Sequence, residues 1–167
     1  LTPQRVIIEA TSGNTGIALA MMGAAKGYRV MLCMSSGASV ERRGVLEALG
    51  AEIVLTDAHK GTDGAIERAR EMVAQNPGRF YMPDQYSNQN NVLAHFETTG
   101  PEIAVQTGGE VDAFVAGMGT TGTLMGVGRY LKQLNRATRI VGVEPPMGHR
   151  IQGLKNMNEA VCPQIYD

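Results

Sequence analysis

Two glycine-rich turns, Thr11-Ser12-Gly13-Asn14-Thr15-Gly16 and Gly117-Met118-Gly119-Thr120-Thr121-Gly122-Thr123, each join a short Val/Ile-rich run to a helical pattern. A strand that enters a helix through glycine is the repeating step of an α/β fold, and the rest of the chain keeps that rhythm. Residues 5–9, 29–33, 52–55, 113–116 and 140–143 read as buried parallel strands. Between them, residues 15–26 form a helical pattern closed by Gly27. Residues 39–49 form another, with Ser39 as N-cap and Gly50 past the end, and further patterns cover 62–75 and 122–134. A weaker helical stretch spans 94–106, where Pro101 sets a helix start or a break. The expected architecture is α/β with parallel strands and right-handed crossovers.

The polar stretch 82–91, with Pro83, Asp84, Ser87, Asn88, Asn90 and Asn91, reads as a break between two lobes, 1–88 and 89–167. Each lobe then carries one glycine turn at the carboxyl end of its first strand, where open α/β sheets place ligands. A helix N-terminus offers unpartnered N–H groups and partial positive charge, so each turn is a candidate anion site. One suits a cofactor phosphate and the other a substrate carboxylate.

Composition narrows the partners. With 43% hydrophobic residues and a formal charge of −1, the chain has material for a core and no basic field for nucleic acid. No apolar run reaches the roughly 18 to 20 residues of a membrane span, and no export signal opens the sequence, so a cytoplasmic protein is expected. Cys33 and Cys162 are read as reduced thiols. His59, His95 and His149 lack metal-ligand spacing, so no metal site is assigned. Met21, Met22, Met31, Met34, Met118 and Met125 read as core filler, Arg42 and Arg43 as solvated, and Lys26, Lys60, Lys132 and Lys155 as surface or loop residues. The start at Leu1 and the ending at Tyr166-Asp167 suit a piece of a longer protein.

The two turns differ chemically. The second matches the dinucleotide pattern GxGxxG, with Glu144 placed as a ribose-binding acid, so an NAD-dependent oxidoreductase is one reading. Its hydroxyls at Thr120, Thr121 and Thr123 favour a terminal phosphate monoester instead. The first turn lacks the lysine of a nucleotide triphosphate loop. Thr11, Ser12 and Thr15 can hold a carboxylate and Asn14 can donate to a phenolate oxygen, although simple helix capping also accounts for Ser12 or Asn14.

The segments Glu9-Ala10-Thr11-Ser12-Gly13-Asn14-Thr15-Gly16, Thr98-Thr99-Gly100-Pro101-Glu102 and Gly119-Thr120-Thr121-Gly122-Thr123-Leu124-Met125-Gly126 together resemble the cysteine synthase and cystathionine β-synthase family. These are pyridoxal phosphate (PLP) enzymes of fold type II, similar in architecture to the tryptophan synthase β-subunit. The resemblance implies two three-layer α/β lobes with mainly parallel sheets, incomplete in this chain. Residues 1–88 would be part of a smaller lobe carrying the substrate loop, and 89–167 part of a larger lobe binding the PLP phosphate.

By that resemblance Thr11, Ser12, Gly13, Thr15 and Gln85 bind the substrate carboxylate and Asn14 contacts the PLP ring oxygen. Gly119, Thr120, Thr121, Gly122 and Thr123 would hold the PLP phosphate. The implied reaction is β-replacement through an aminoacrylate, with O-acetylserine or O-phosphoserine and sulfide or another thiol giving L-cysteine. The stretch 115–126, followed by 153–159, is similar to the cysteine synthase B type. Some members take O-phosphoserine and a sulfur-carrier protein, and in them a basic residue matching Lys155 meets the substrate phosphate, with lysine here in place of the usual arginine. The family also implies a homodimer. Its Schiff-base lysine belongs to an upstream NPxxSxKDR-like motif that this sequence does not contain, so the chain alone is expected to bind PLP weakly, without a covalent link, and to lack most activity. Cystathionine β-synthase, serine/threonine dehydratase and a noncatalytic anion- or PLP-binding protein are the alternatives that share these motifs.

Overall fold

The structure, a computed structural model, describes residues 2, 4–149, 151–158 and 161–167. Glu159, the last residue of the 153–159 stretch, lies outside the described residues. The chain divides into two compact units, Leu1–Asp84 and Gln85–Asp167. The division falls four residues before the boundary at 88 read from sequence (88 − 84 = 4). Asp84 has a left-handed φ of 50° and pairs with Arg70 at 3.3 Å. One residue later, the Gln85 carbonyl accepts a hydrogen bond from Asn91 Nδ2 at 2.9 Å. Local attachment therefore changes direction at this peptide bond.

The first unit is a four-stranded parallel sheet, β1 (Val6–Ala10), β2 (Val30–Ser35), β3 (Glu52–Thr56) and β4 (Phe80–Tyr81), in the order β3-β2-β1-β4. Every residue of β1 is buried, as expected of a central parallel strand covered on both faces. Helices α1 (Asn14–Lys26), α2 (Val40–Ala48) and α3 (Gly61–Gln75) cover it. Ile7, Val30, Leu32 and Met34 pack with Ala20 of α1 and Leu46 of α2. The buried stripe of α1 is Gly16, Ala20 and Gly23, and small residues are required there, since a Cβ on Gly23 would come within 2.3 Å of Val30 Cγ2. Met21 and Met22 are exposed in this unit rather than core residues, because they lie on the face of α1 turned away from that stripe. Cys33 is buried and unbonded, as is expected of a reduced thiol inside a strand.

The second unit has a two-stranded parallel sheet, β5 (Ala113–Gly117) and β6 (Arg139–Val143), joined through α6 (Gly122–Leu134). Against α6 packs a run that reads α4 (Gln89–Ala94), a π-helical turn (His95–Thr99) and α5 (Gly100–Gln106). The helix expected at 94–106 thus begins at Gln89, capped by Asn88, whose side chain accepts from Asn90 N. Pro101 sits in the first turn of α5, directly after the π-helical turn. Close approach of the helices depends on glycine. A Cβ on Gly126 would lie 2.4 Å from the Val92 carbonyl, and one on Gly100 would lie 2.7 Å from Tyr130 Cβ. Among the described residues no helix is long and apolar enough to cross a membrane.

Candidate functional site

In the first unit the chain leaves β1 at Ala10, and the Thr11 amide still donates to the Cys33 carbonyl at 3.1 Å, fixing the start of the turn to the sheet. Thr11 Oγ1 accepts from the Gly13 amide at 3.2 Å, a local bond that bends the backbone into the helix. Gly13 occupies the N-cap of α1 with no side-chain cap. The first intrahelical bond runs from Ile17 N to the Gly13 carbonyl, so the amides of Asn14 and Gly16 lie ahead of the helix's own hydrogen-bond ladder. Thr11 is buried and Gly16 packs against it, whereas Asn14 is exposed. The turn is a preformed row of N–H donors with hydroxyls alongside.

The second turn is tighter. Thr121 is the N-cap of α6 at φ 68° and ψ −2°, a left-handed conformation that is a marked outlier for a β-branched residue. Its Oγ1 is buried and has no hydrogen-bond partner among the described residues. The Met125 amide closes the first helical bond on the Thr121 carbonyl at 2.9 Å. On either side glycine permits contacts that a side chain would forbid. A Cβ on Gly119 would stand 2.4 Å from the Gly153 carbonyl, and one on Gly122 would stand 2.0 Å from Asn91 Oδ1.

Three further residues complete the surroundings. Asn91 Nδ2, besides bonding the Gln85 carbonyl, donates to Thr120 Oγ1 at 3.1 Å. His95 Nε2 lies 3.1 Å from Thr123 Oγ1, and burial lowers the proton affinity of its ring below the usual histidine value. Lys155 donates its backbone amide to the Met118 carbonyl at 2.7 Å. Contrary to the surface position expected from sequence, the residue is only 6% exposed, with Nζ 5.3 Å from the centroid of the Tyr86 ring. The amide bond to Met118 and the close seat of Gly153 on Gly119 draw the 153–158 segment onto the turn, and the lysine with it. Lys26, Lys60 and Lys132 are on the surface.

Of the residues picked out by sequence, Thr11 to Thr15 form their own turn in the first unit. Gln85, Gly119 to Thr123 and Lys155 gather in the second. Asn91 and His95 were not picked out. Asparagine in a polar, Asn-rich segment reads as a turn former, and a histidine without ligand spacing gives no signal. Their partners in the turn are 29 and 28 residues away.

These groups fit a phosphate monoester. A buried hydroxyl without a partner is costly unless a ligand completes it. Here it stands at the N-terminus of α6, beside the first amides of the helix. Glu144, the acid that a dinucleotide site would need, instead accepts from the Met157 amide at 2.9 Å and holds the 153–158 segment.

A model of the family described as pyridoxal-phosphate dependent enzymes matches residues 2–165. The chain belongs to this family. It is similar to cysteine synthase B of Pseudomonas aeruginosa, at 47% identity over 100% of this chain and 55% of that protein. It is likewise similar to cysteine synthase of Aquifex aeolicus, at 49% identity over 98% of this chain and 50% of the other. Among solved structures, cysteine synthase from Entamoeba histolytica superposes with a TM-score of 0.88 at 42% identity, covering 100% of this chain and 51% of that one. The parallel α/β architecture is therefore that of the fold type II members of the family. The chain spans about half the length of the curated relatives it matches.

Proposed function

We propose that this chain carries the phosphate-binding and carboxylate-binding turns of a PLP-dependent cysteine synthase. The observation that carries the reading is the buried, unpartnered Thr121 hydroxyl at the glycine-flanked N-terminus of α6. Gly119, Thr120, Thr121, Gly122 and Thr123 would hold the cofactor phosphate. Thr11, Ser12, Gly13 and Thr15, with Gln85, would bind the substrate carboxylate, and Asn14 would donate to the cofactor's ring oxygen. Bound PLP supplies an electron sink for the pair released when the substrate loses its α-proton. The residues of this chain contribute binding and orientation, and none of them is assigned as the base.

The whole protein, on this reading, replaces the β-substituent of O-acetylserine or O-phosphoserine by sulfide or another thiol to form L-cysteine. Its relatives, named as cysteine synthases, support that choice. Its placement as a cytoplasmic, homodimeric transferase, with lyase side chemistry, follows from the family resemblance. So does a sulfur-carrier protein as donor. The O-phosphoserine option rests on Lys155, whose backbone amide is bonded to the Met118 carbonyl and whose Nζ lies over the Tyr86 ring.

Two measurements test the proposal. In the 167-residue chain, PLP should bind more tightly than pyridoxal, which lacks the phosphate. Thr121→Val should weaken PLP by about tenfold while leaving pyridoxal unchanged, the loss expected for one hydrogen bond to a charged group. In the polypeptide that the gene encodes, O-acetylserine and sulfide should give cysteine, and Lys155→Ala should selectively impair O-phosphoserine. Equal binding of PLP and pyridoxal would overturn the phosphate assignment. PLP retention without cysteine formation would move the protein to another reaction of the family.

A further inference from the structure

Two side chains stand behind the phosphate turn, and each one touches a hydroxyl of that turn. Thr120 Oγ1 accepts from Asn91 Nδ2 at 3.1 Å and from the Gly122 amide at 3.4 Å. A hydroxyl has two lone pairs and one proton, so with both lone pairs used its proton must point away from Asn91 and from the helix. Asn91 is itself held, because the same Nδ2 bonds the Gln85 carbonyl at 2.9 Å. The missing side chain of Gly122 leaves room for its Oδ1.

His95 opens the π-helical turn His95–Thr99, a distortion found most often where a helix serves a site. A Cβ on Gly126 would come 2.6 Å from His95 Cβ, so α6 fixes where the ring lies. His95 Nδ1 is 2.9 Å from Thr99 Oγ1, and Nε2 is 3.1 Å from Thr123 Oγ1. Burial favours the neutral ring, which has one N–H and one lone pair. If Nε2 carries the proton, it donates to Thr123 and leaves the Thr123 proton for a ligand, while Thr99 donates to Nδ1. If Nδ1 carries the proton, Thr123 must donate to His95 and turns a lone pair toward the site. An anion among helix N-terminal amides is repelled by that lone pair.

We propose that Asn91 and His95 are positioning residues that aim the hydroxyl protons of Thr120 and Thr123 outward, His95 as its Nε2–H tautomer, so that the turn offers only donors to an unprotonated phosphate. The inference rests on the phosphate reading of the turn given above. It adds the groups that decide the polarity of the hydroxyls, and it assigns Thr99 as the proton donor to the far side of the ring.

Long-range nitrogen–proton NMR correlation of the 167-residue chain reads the tautomer directly, with or without ligand. The expected result is a protonated Nε2 and an unprotonated Nδ1, and the reverse overturns the proposal for His95. Titration with PLP, pyridoxal and inorganic phosphate then measures the consequence. His95→Gln, whose amide can donate in place of Nε2, should bind PLP within about threefold of the parent, whereas His95→Phe should lose about tenfold for PLP and phosphate and nothing for pyridoxal. Asn91→Asp, which accepts where asparagine donated, should lose at least as much. Parental phosphate affinity in both His95→Phe and Asn91→Asp would overturn the positioning role. A parent chain that does not distinguish PLP from pyridoxal would overturn the phosphate reading instead, and the NMR result would still decide the tautomer.

Discussion

Thr121 combines a left-handed backbone with a buried hydroxyl that has no partner among the described residues, two costs that folding alone would remove. Thr121→Gly should therefore stabilise the chain by about 1 kcal/mol through relief of strain, visible as a raised urea midpoint, while weakening PLP by about tenfold and leaving pyridoxal unchanged. Cys33 allows a second test at this scale. Burial pushes its thiol up from 9.0 to about 11, the nearby Arg68 charge partly opposing and Glu9 adding to the shift. The unfolded chain loses this proton first, so the contribution is intact below pH 9.0 and is lost as pH rises toward about 11. Stability should fall across that window in the parent and fall less in Cys33→Ala. At pH 8 a thiol reagent should modify the exposed Cys162 promptly and Cys33 only on unfolding. Single residues were also where sequence reading reached its limit. The hydroxyls of the two turns were legible because glycine and threonine at a strand-helix junction have a direct chemical meaning. The burial of Lys155 was not, since it follows from a backbone bond to Met118, 37 residues earlier (155 − 118 = 37).

The secondary elements were legible in proportion to how far their own pattern determines them. The strands β1, β2 and β3 and the helices α1 and α6 follow local apolar runs and glycine stops, with Gly27 ending α1 at φ 72°. The two-residue β4 is defined by its pairing with Val6 and Ile7 rather than by any pattern of its own. The passage from α4 through the π turn to α5 depends on packing against α6, which no local window contains. The same packing makes a prediction for the element. Gly122→Ala would place a methyl in the position of Asn91 Oδ1 and should destabilise the second unit by about 1–3 kcal/mol. Circular dichroism in urea would measure it, and the loss of the Asn91 bond should lower phosphate affinity in parallel. Gly13→Ala, where a Cβ meets no atom within 4 Å, is the control and should change stability far less.

Across the whole chain, apolar burial is unevenly shared. The central strands of the first unit are closed on both faces, with Ile8, Leu32 and Cys33 fully buried. In the second unit β5 and β6 pair only with each other among the described residues, and Val115, Val141 and Val143 are 59%, 40% and 47% exposed. Hydrogen exchange of the 167-residue chain should accordingly be slowest in β1 and β2 and faster by at least about tenfold in β5 and β6, since opening free energy follows buried contacts. Equal protection would show that the second sheet draws stability from elsewhere. Two parallel strands with open outer edges and bare valines also have a colloidal consequence. Each edge is a template for another strand, so concentrated solutions of the isolated chain should turn turbid with a steep dependence on protein concentration, and a lysine at Val115 or Val141 should keep them clear.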